Sequence, residues 1–262
     1  MAGYVQDAIM LLGDSLTEMS TAPYGLAQLL TDAYRRKLDV VVRGFSGYNS
    51  TWILPVFEQV LAKQSERANL ATLQLLTIWL GANDATFPGE AQHVPLETFK
   101  ANMRRLVRMV TDPHSAWHSP ATRVVLLTPP PVYADKWRDF LRVNGTPPRD
   151  TSDRDLEGSR VYAEATREVA LQEGVALVDT WTLLWDAAGG KEENLTQFLS
   201  DGLHLSTDGY KLVYDALVKL ILERYPEIHF DKPFMAFPPW NEVNNDNYME
   251  LWKESTVRKG KL

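Results

Sequence analysis

The sequence predicts a three-layer α/β/α sandwich built around a five-stranded parallel sheet, and two observations predict it. Five short apolar runs, spaced along the chain, are continuous instead of alternating, as strands buried on both faces are. Between them lie segments long enough for helical crossovers, with apolar residues at three- and four-residue spacing.

The predicted strands are Ala8 to Leu12, Leu38 to Val42, Leu75 to Leu80, Arg123 to Thr128 and Val175 to Val178. The runs do not alternate, and no two of them are linked directly by an Asn-Gly or Asp-Gly turn, which argues against a hairpin sheet. Helices are expected over Ala22 to Lys37, Leu54 to Gln64, Leu96 to Val110, Asp155 to Glu173 and Thr207 to Arg224. Leu212, Val213, Leu217, Leu220 and Ile221 give the last its apolar stripe. Two segments break the rhythm. Val132 to Asp153 follows Pro129-Pro130-Pro131 and contains Asn144, Gly145, Pro147 and Pro148, so a long loop or flap is expected there. From His229 onward the chain is rich in Pro and aromatic residues, with a short helix expected around Asn247 to Lys253. Residues 1–262 are read as one domain, with 229–262 an extension that packs on the domain or joins a homodimer, because its aromatics need burial.

Composition excludes several classes. There are 262 residues and no cysteine, so disulfide scaffolds and thiolate zinc sites are ruled out. Twenty-seven Lys and Arg against 34 Asp and Glu give a net charge of -7 without a basic stripe, which argues against nucleic acid as a partner. No run approaches the roughly 18 apolar residues that stable membrane insertion needs. The amino-terminal stretch has no basic region before its apolar run, so a cytoplasmic protein is expected, and the sequons at Asn49, Asn144 and Asn194 carry little weight.

Chemistry gathers where the predicted strands end, on one side of the sheet. The first strand runs into Gly13-Asp14-Ser15-Leu16, which suits either a helix N-cap or a hydroxyl on a tight turn with amides aimed at an anion. After the second comes Arg43-Gly44-Phe45-Ser46-Gly47-Tyr48-Asn49-Ser50, a simple turn or a place of close backbone approach. The third ends in Gly81-Ala82-Asn83-Asp84, where Asn83 can cap locally or donate to a ligand. Just before the last helix stands Asp201-Gly202-Leu203-His204. If that segment turns, the carboxylate can accept the Nδ1 proton and leave Nε2 free as a base.

Ser, Gly, Asn and Asp-x-x-His in this order resemble the four blocks of the SGNH or GDSL hydrolase superfamily, matched by Ser15, Gly44, Asn83 and His204. The stretches Arg43 to Trp52, Thr128 to Val132, Ser200 to Ser206 and the aromatic tail are similar to the isoamyl acetate-hydrolysing esterase subgroup. The resemblance implies a flavodoxin-like sandwich and a serine esterase acting on short-chain acetate-type esters. It implies Ser15 as nucleophile, His204 as general base then acid and Asp201 as orienting carboxylate. Ser15 and Gly44 backbone N–H groups and the Asn83 amide would form the oxyanion hole. Asp14 and Asp84 are read as turn-stabilising.

Competing readings lose ground on motifs. Thr17 replaces the second Gly of G-x-S-x-G, and phosphate-loop, dinucleotide and H-E-x-x-H motifs are absent, so no cofactor or metal is implied. A thioesterase, a deacetylase and an alcohol acyltransferase share the same chemistry and stay open, whereas a non-catalytic binding module has no use for the full set. Leu16, Tyr48, Trp52, Phe87 and Pro130 are the candidates for an apolar substrate pocket, though each suits core packing as well.

Overall fold

A computed structural model describes residues 6–251, apart from 234 and 236. Five parallel strands, β1 (Ala8–Gly13), β2 (Asp39–Gly44), β3 (Leu73–Trp79), β4 (Arg123–Leu127) and β5 (Ala176–Val178), lie in the order β2-β1-β3-β4-β5. The chain winds to one side of β1 to make β2 and to the other for β3, β4 and β5, so a crevice opens at the carboxyl end of β1.

Side-chain alternation sends each strand into two cores. Ile9, Leu11, Leu75, Trp79, Val125 and Leu127 face the layer that holds α2 (Leu26–Ala33) and α8 (Thr207–Arg224). Met10, Leu12, Leu76, Ile78, Val124 and Leu126 face α3 (Ile53–Val60), α4 (Leu96–Thr111) and α6 (Leu156–Glu173). Burial on both faces is what made the runs continuous. The expected sandwich is therefore the observed one, with strand limits shifted by one or two residues.

Capping sets several helix limits. Asp155 accepts from the Gly158 amide at the start of α6, and Gly174 ends it in the left-handed conformation. Ser206 caps α8 through the Gly209 amide. The expected helix over Ala22 to Lys37 is shorter, because its entry turns through Pro23 and Gly25 and its exit passes through Arg36 at φ 64°. A four-residue helix, α1 (Ser15–Glu18), follows β1 directly.

Two segments differ from expectation. The expected loop from Val132 to Asp153 contains an eleven-residue helix, α5 (Ala134–Asn144), whose Trp137 and Leu141 are buried in the α2/α8 layer. The flanking Pro and Gly residues mark its two ends, not its middle. Another helix, α7 (Thr180–Ala187), follows β5, capped by Asp179 through the Thr182 amide. The aromatic tail begins packed: Phe230 meets Tyr34 edge-on at 6.2 Å, and Arg36 donates to the Phe237 and Pro238 carbonyls at 2.8 and 2.7 Å. Farther on Trp240 is 87% exposed, and a 3-10 turn forms over Tyr248–Leu251; the rest of the expected Asn247 to Lys253 helix lies outside the described residues. No described helix is long and apolar enough to cross a membrane.

Candidate active site

The turn after β1 is built by Asp14. Its Oδ1 accepts from Leu16 N at 2.9 Å, and its carbonyl accepts from Thr17 and Glu18 N at 3.1 and 3.0 Å. Those bonds use the other amides of the turn and leave Ser15 N–H. Gly44 ends β2 against this turn. A Cβ there would lie 2.1 Å from Glu18 N, so only glycine lets α1 come this close. Phe45 N donates to Gly13 O, and successive amides of a strand face opposite ways, so Gly44 N–H faces the free edge of β2, away from β1 and Ser15. The expected oxyanion role of that amide therefore does not hold: Gly44 serves the close approach of α1.

Asp201 and His204 come to Ser15 from the carboxyl-terminal part of the chain. Ser200 N donates to His204 O at 2.8 Å and Leu199 bridges Leu205, folding the intervening residues into a closed turn. Asp201 Oδ1 accepts from the amides of Leu203 and His204 at 2.9 and 2.8 Å. Its Oδ2 meets His204 Nδ1 at 2.7 Å, and His204 Nε2 lies 2.9 Å from Ser15 Oγ. Burial pushes the Asp201 carboxyl up, but the His204 ring and the two amides outweigh it and hold it below its ordinary value. The turn rests on α5: Gly202, at φ 99°, would carry a Cβ 2.5 Å from Trp137 N, and Tyr133 N donates to Gly202 O at 2.9 Å. The helix that replaced the expected loop is thus the platform of the Asp201–His204 turn.

Asn83 is buried, and its Nδ2 donates to Tyr48 O at 2.8 Å, leaving one amide proton. Asp84 accepts from Ser50 N at 2.9 Å, so Asp14 and Asp84 both tie down turns. Each is fully buried, and Oδ2 of each has no hydrogen-bond partner among the described residues. Burial, opposed by the Leu16 amide, pushes Asp14 up to about 7; burial, opposed by Ser50, pushes Asp84 up to about 6.

Among the pocket candidates, Leu16 and Pro130 are buried, Leu16 wholly and within the α2/α8 core, so neither side chain walls an open pocket. Tyr48 packs edge-on against Trp52 at 6.1 Å, and Trp52 and Phe87 are 42% and 39% exposed. Sequence reasoning missed Arg154, Asp153, Gln92 and Trp137. Arg154 is 2% exposed and pairs with Asp153, and the Trp137 ring stands edge-on to His204 at 5.8 Å. An Asp-Arg pair directly before a helix, and Trp137, Phe140 and Leu141 at three- and four-residue spacing, were the available signals.

Residues 11–212 match the family model described as GDSL-like Lipase/Acylhydrolase family. A GDSL esterase/lipase of Arabidopsis thaliana is 32% identical over 252 residues, 94% of this chain and 97% of that protein. The isoamyl acetate-hydrolyzing esterase of Saccharomyces cerevisiae is 31% identical over 258 residues, 92% of this chain and 96% of that one. In fold, the chain is similar to a lipase/acylhydrolase from Enterococcus faecalis, with TM-score 0.58 and 24% identity over 84% of this chain and 97% of that one.

Proposed function

The chain belongs to the GDSL-like lipase/acylhydrolase family and is a carboxylic ester hydrolase, and on that premise we propose that it cleaves short-chain, acetate-type esters through Ser15, His204 and Asp201. The observation that carries this reading is the pair of contacts at His204, 2.7 Å to Asp201 and 2.9 Å to Ser15. A carboxylate fixes Nδ1 as the protonated nitrogen, which leaves Nε2 as the acceptor facing the hydroxyl.

In the first half-reaction, Ser15 Oγ attacks the ester carbonyl carbon as its proton passes to His204 Nε2. Negative charge moves to the carbonyl oxygen, which accepts from the Ser15 amide and the free Asn83 proton. Asp201, held ionised, faces the imidazolium. Collapse breaks the bond to the alcohol oxygen, which leaves with the proton from His204, and Ser15 carries the acyl group. Water then gives a proton to His204 as it attacks the acyl carbon, and the carboxylic acid departs as Ser15 regains its hydrogen.

The acetate preference is supported by the yeast relative, whose name gives isoamyl acetate as substrate. The side chains assigned to the alcohol chain are Tyr48, with the Trp52 ring packed on it, and the part-exposed Phe87. Hydrolysis of p-nitrophenyl esters from acetate to octanoate, with isoamyl acetate as competitor, tests both points. Rates should fall with acyl length and isoamyl acetate should inhibit competitively. Rates that rise towards octanoate would move the substrate to longer acyl chains.

A further inference from the structure

The side chain that fixes the direction of the Asn83 amide is an arginine 71 residues away in sequence. Arg154 is buried at the start of α6, with all its donors engaged. Nε and Nη2 meet the Asp153 carboxylate at 2.8 and 3.3 Å. Nη1 donates to Ala82 O at 2.7 Å and to Asn83 Oδ1 at 3.4 Å, and Nη2 to Gln92 Oε1 at 3.4 Å. Its guanidinium lies over the Trp137 ring at 5.3 Å.

The chemistry of this hub is one-sided. A guanidinium has donors and no acceptor, so a side-chain amide facing it can present only its oxygen. Asn83 therefore turns Oδ1 to Arg154 and Nδ2 away from it, where one proton meets Tyr48 O and the other is left for a ligand. Gln92 obeys the same rule: its Oε1 faces Arg154 and its Nε2 donates to Gly47 O at 2.8 Å, in the loop that follows Gly44. On the far side, Asp153 accepts from Trp137 Nε1 at 2.8 Å, and Trp137 borders His204.

We propose that Arg154 is a positioning residue for ester cleavage, holding the Asn83 amide so that its free N–H meets the oxyanion, with Asp153 as its buried counter-ion. The role rests on Asn83 being an oxyanion donor. Without the guanidinium, Oδ1 loses its donor and the amide is held only by the single Nδ2 bond to Tyr48 O, about which it can swing, so the free N–H is no longer kept on the oxyanion. The loss falls on the transition state and not on ground-state binding.

The test is a double-mutant cycle with p-nitrophenyl acetate, using Asn83→Ala, Arg154→Met and the two combined, after circular dichroism has established that each is folded. Asn83→Ala should lower kcat by about 100- to 1000-fold. Arg154→Met should lower kcat by at least about tenfold with KM nearly unchanged, and the double variant should be no slower than Asn83→Ala within about threefold. If Arg154→Met does not fold, Asp153→Asn/Arg154→Met, which leaves no unpaired buried charge, replaces it in the cycle. Losses that multiply, an unchanged kcat, or an effect confined to KM would overturn the positioning role. A loss below tenfold in Asn83→Ala would instead remove the oxyanion assignment on which it rests.

Discussion

At the scale of single residues, the crevice combines carboxylates that burial pushes the same way and whose partners set them apart. Asp201 has a ring and two amides to satisfy it and stays ionised, whereas Asp14 and Asp84 each bury an oxygen without a partner among the described residues and are pushed up to about 7 and about 6. A carboxyl with a raised folded value binds its proton more tightly folded than unfolded. Its contribution to stability is full below the ordinary value of 3.8 and is lost as pH rises through about 6 for Asp84 and about 7 for Asp14. Asp153, Asp179 and Asp201 are held low and act in the opposite sense, losing stability only as pH falls below 3.8. Asp84→Asn keeps an acceptor for Ser50 N and removes the titration. The melting temperature of this variant should gain on wild type between pH 5 and pH 8, and parallel curves would show that Asp84 does not titrate in that range.

Secondary-structure elements show how much of the protein was legible in advance. Strands and long helices were, because burial on both faces gives continuous runs and a single apolar stripe repeats every three to four residues. Ser15 and Asn83 stood out because each follows a run that stops, and strand ends share one side of a parallel sheet, whereas Asp201 and His204 stood out by their three-residue spacing just before the last helix. Helix α5 was not, since Pro and Gly at both ends read as loop while Trp137, Phe140 and Leu141 are too few to announce a stripe. Arg154 and Gln92 escaped for another reason: each acts through a side-chain amide contact that only the folded chain brings about. The dependence of the Asp201–His204 turn on α5 is testable at Gly202, where an added methyl would meet Trp137 N at 2.5 Å and Tyr133 O at 2.6 Å in a φ that favours glycine. Gly202→Ala should lower stability by about 1–3 kcal/mol and cut esterase turnover, read by thermal melting and initial rates. A variant with wild-type melting and turnover would mean that the turn does not lean on α5.

At the scale of the whole molecule, the sheet order places the end of β1 at the switch point, and the Asp201–His204 turn reaches it, His204 lying 189 residues beyond Ser15 in the chain. The tail lies against the segment that follows α2, through Tyr34, Arg36 and Lys37, and then exposes Trp240, Tyr248 and Met249. If these exposed side chains join a second copy, removal of residues 234–262 should halve the mass in solution, measured by light scattering; an unchanged mass would remove the dimer. The proposed nucleophile, Ser15, can be read by covalent capture. Intact-mass analysis after exposure to a p-nitrophenyl alkylphosphonate should show one adduct, mapped by peptide fragmentation to Ser15, and esterase activity should disappear with it. Ser15→Ala should stay folded, take no label and hydrolyse no ester. A label on another residue, or ester hydrolysis retained by Ser15→Ala, would contradict the account.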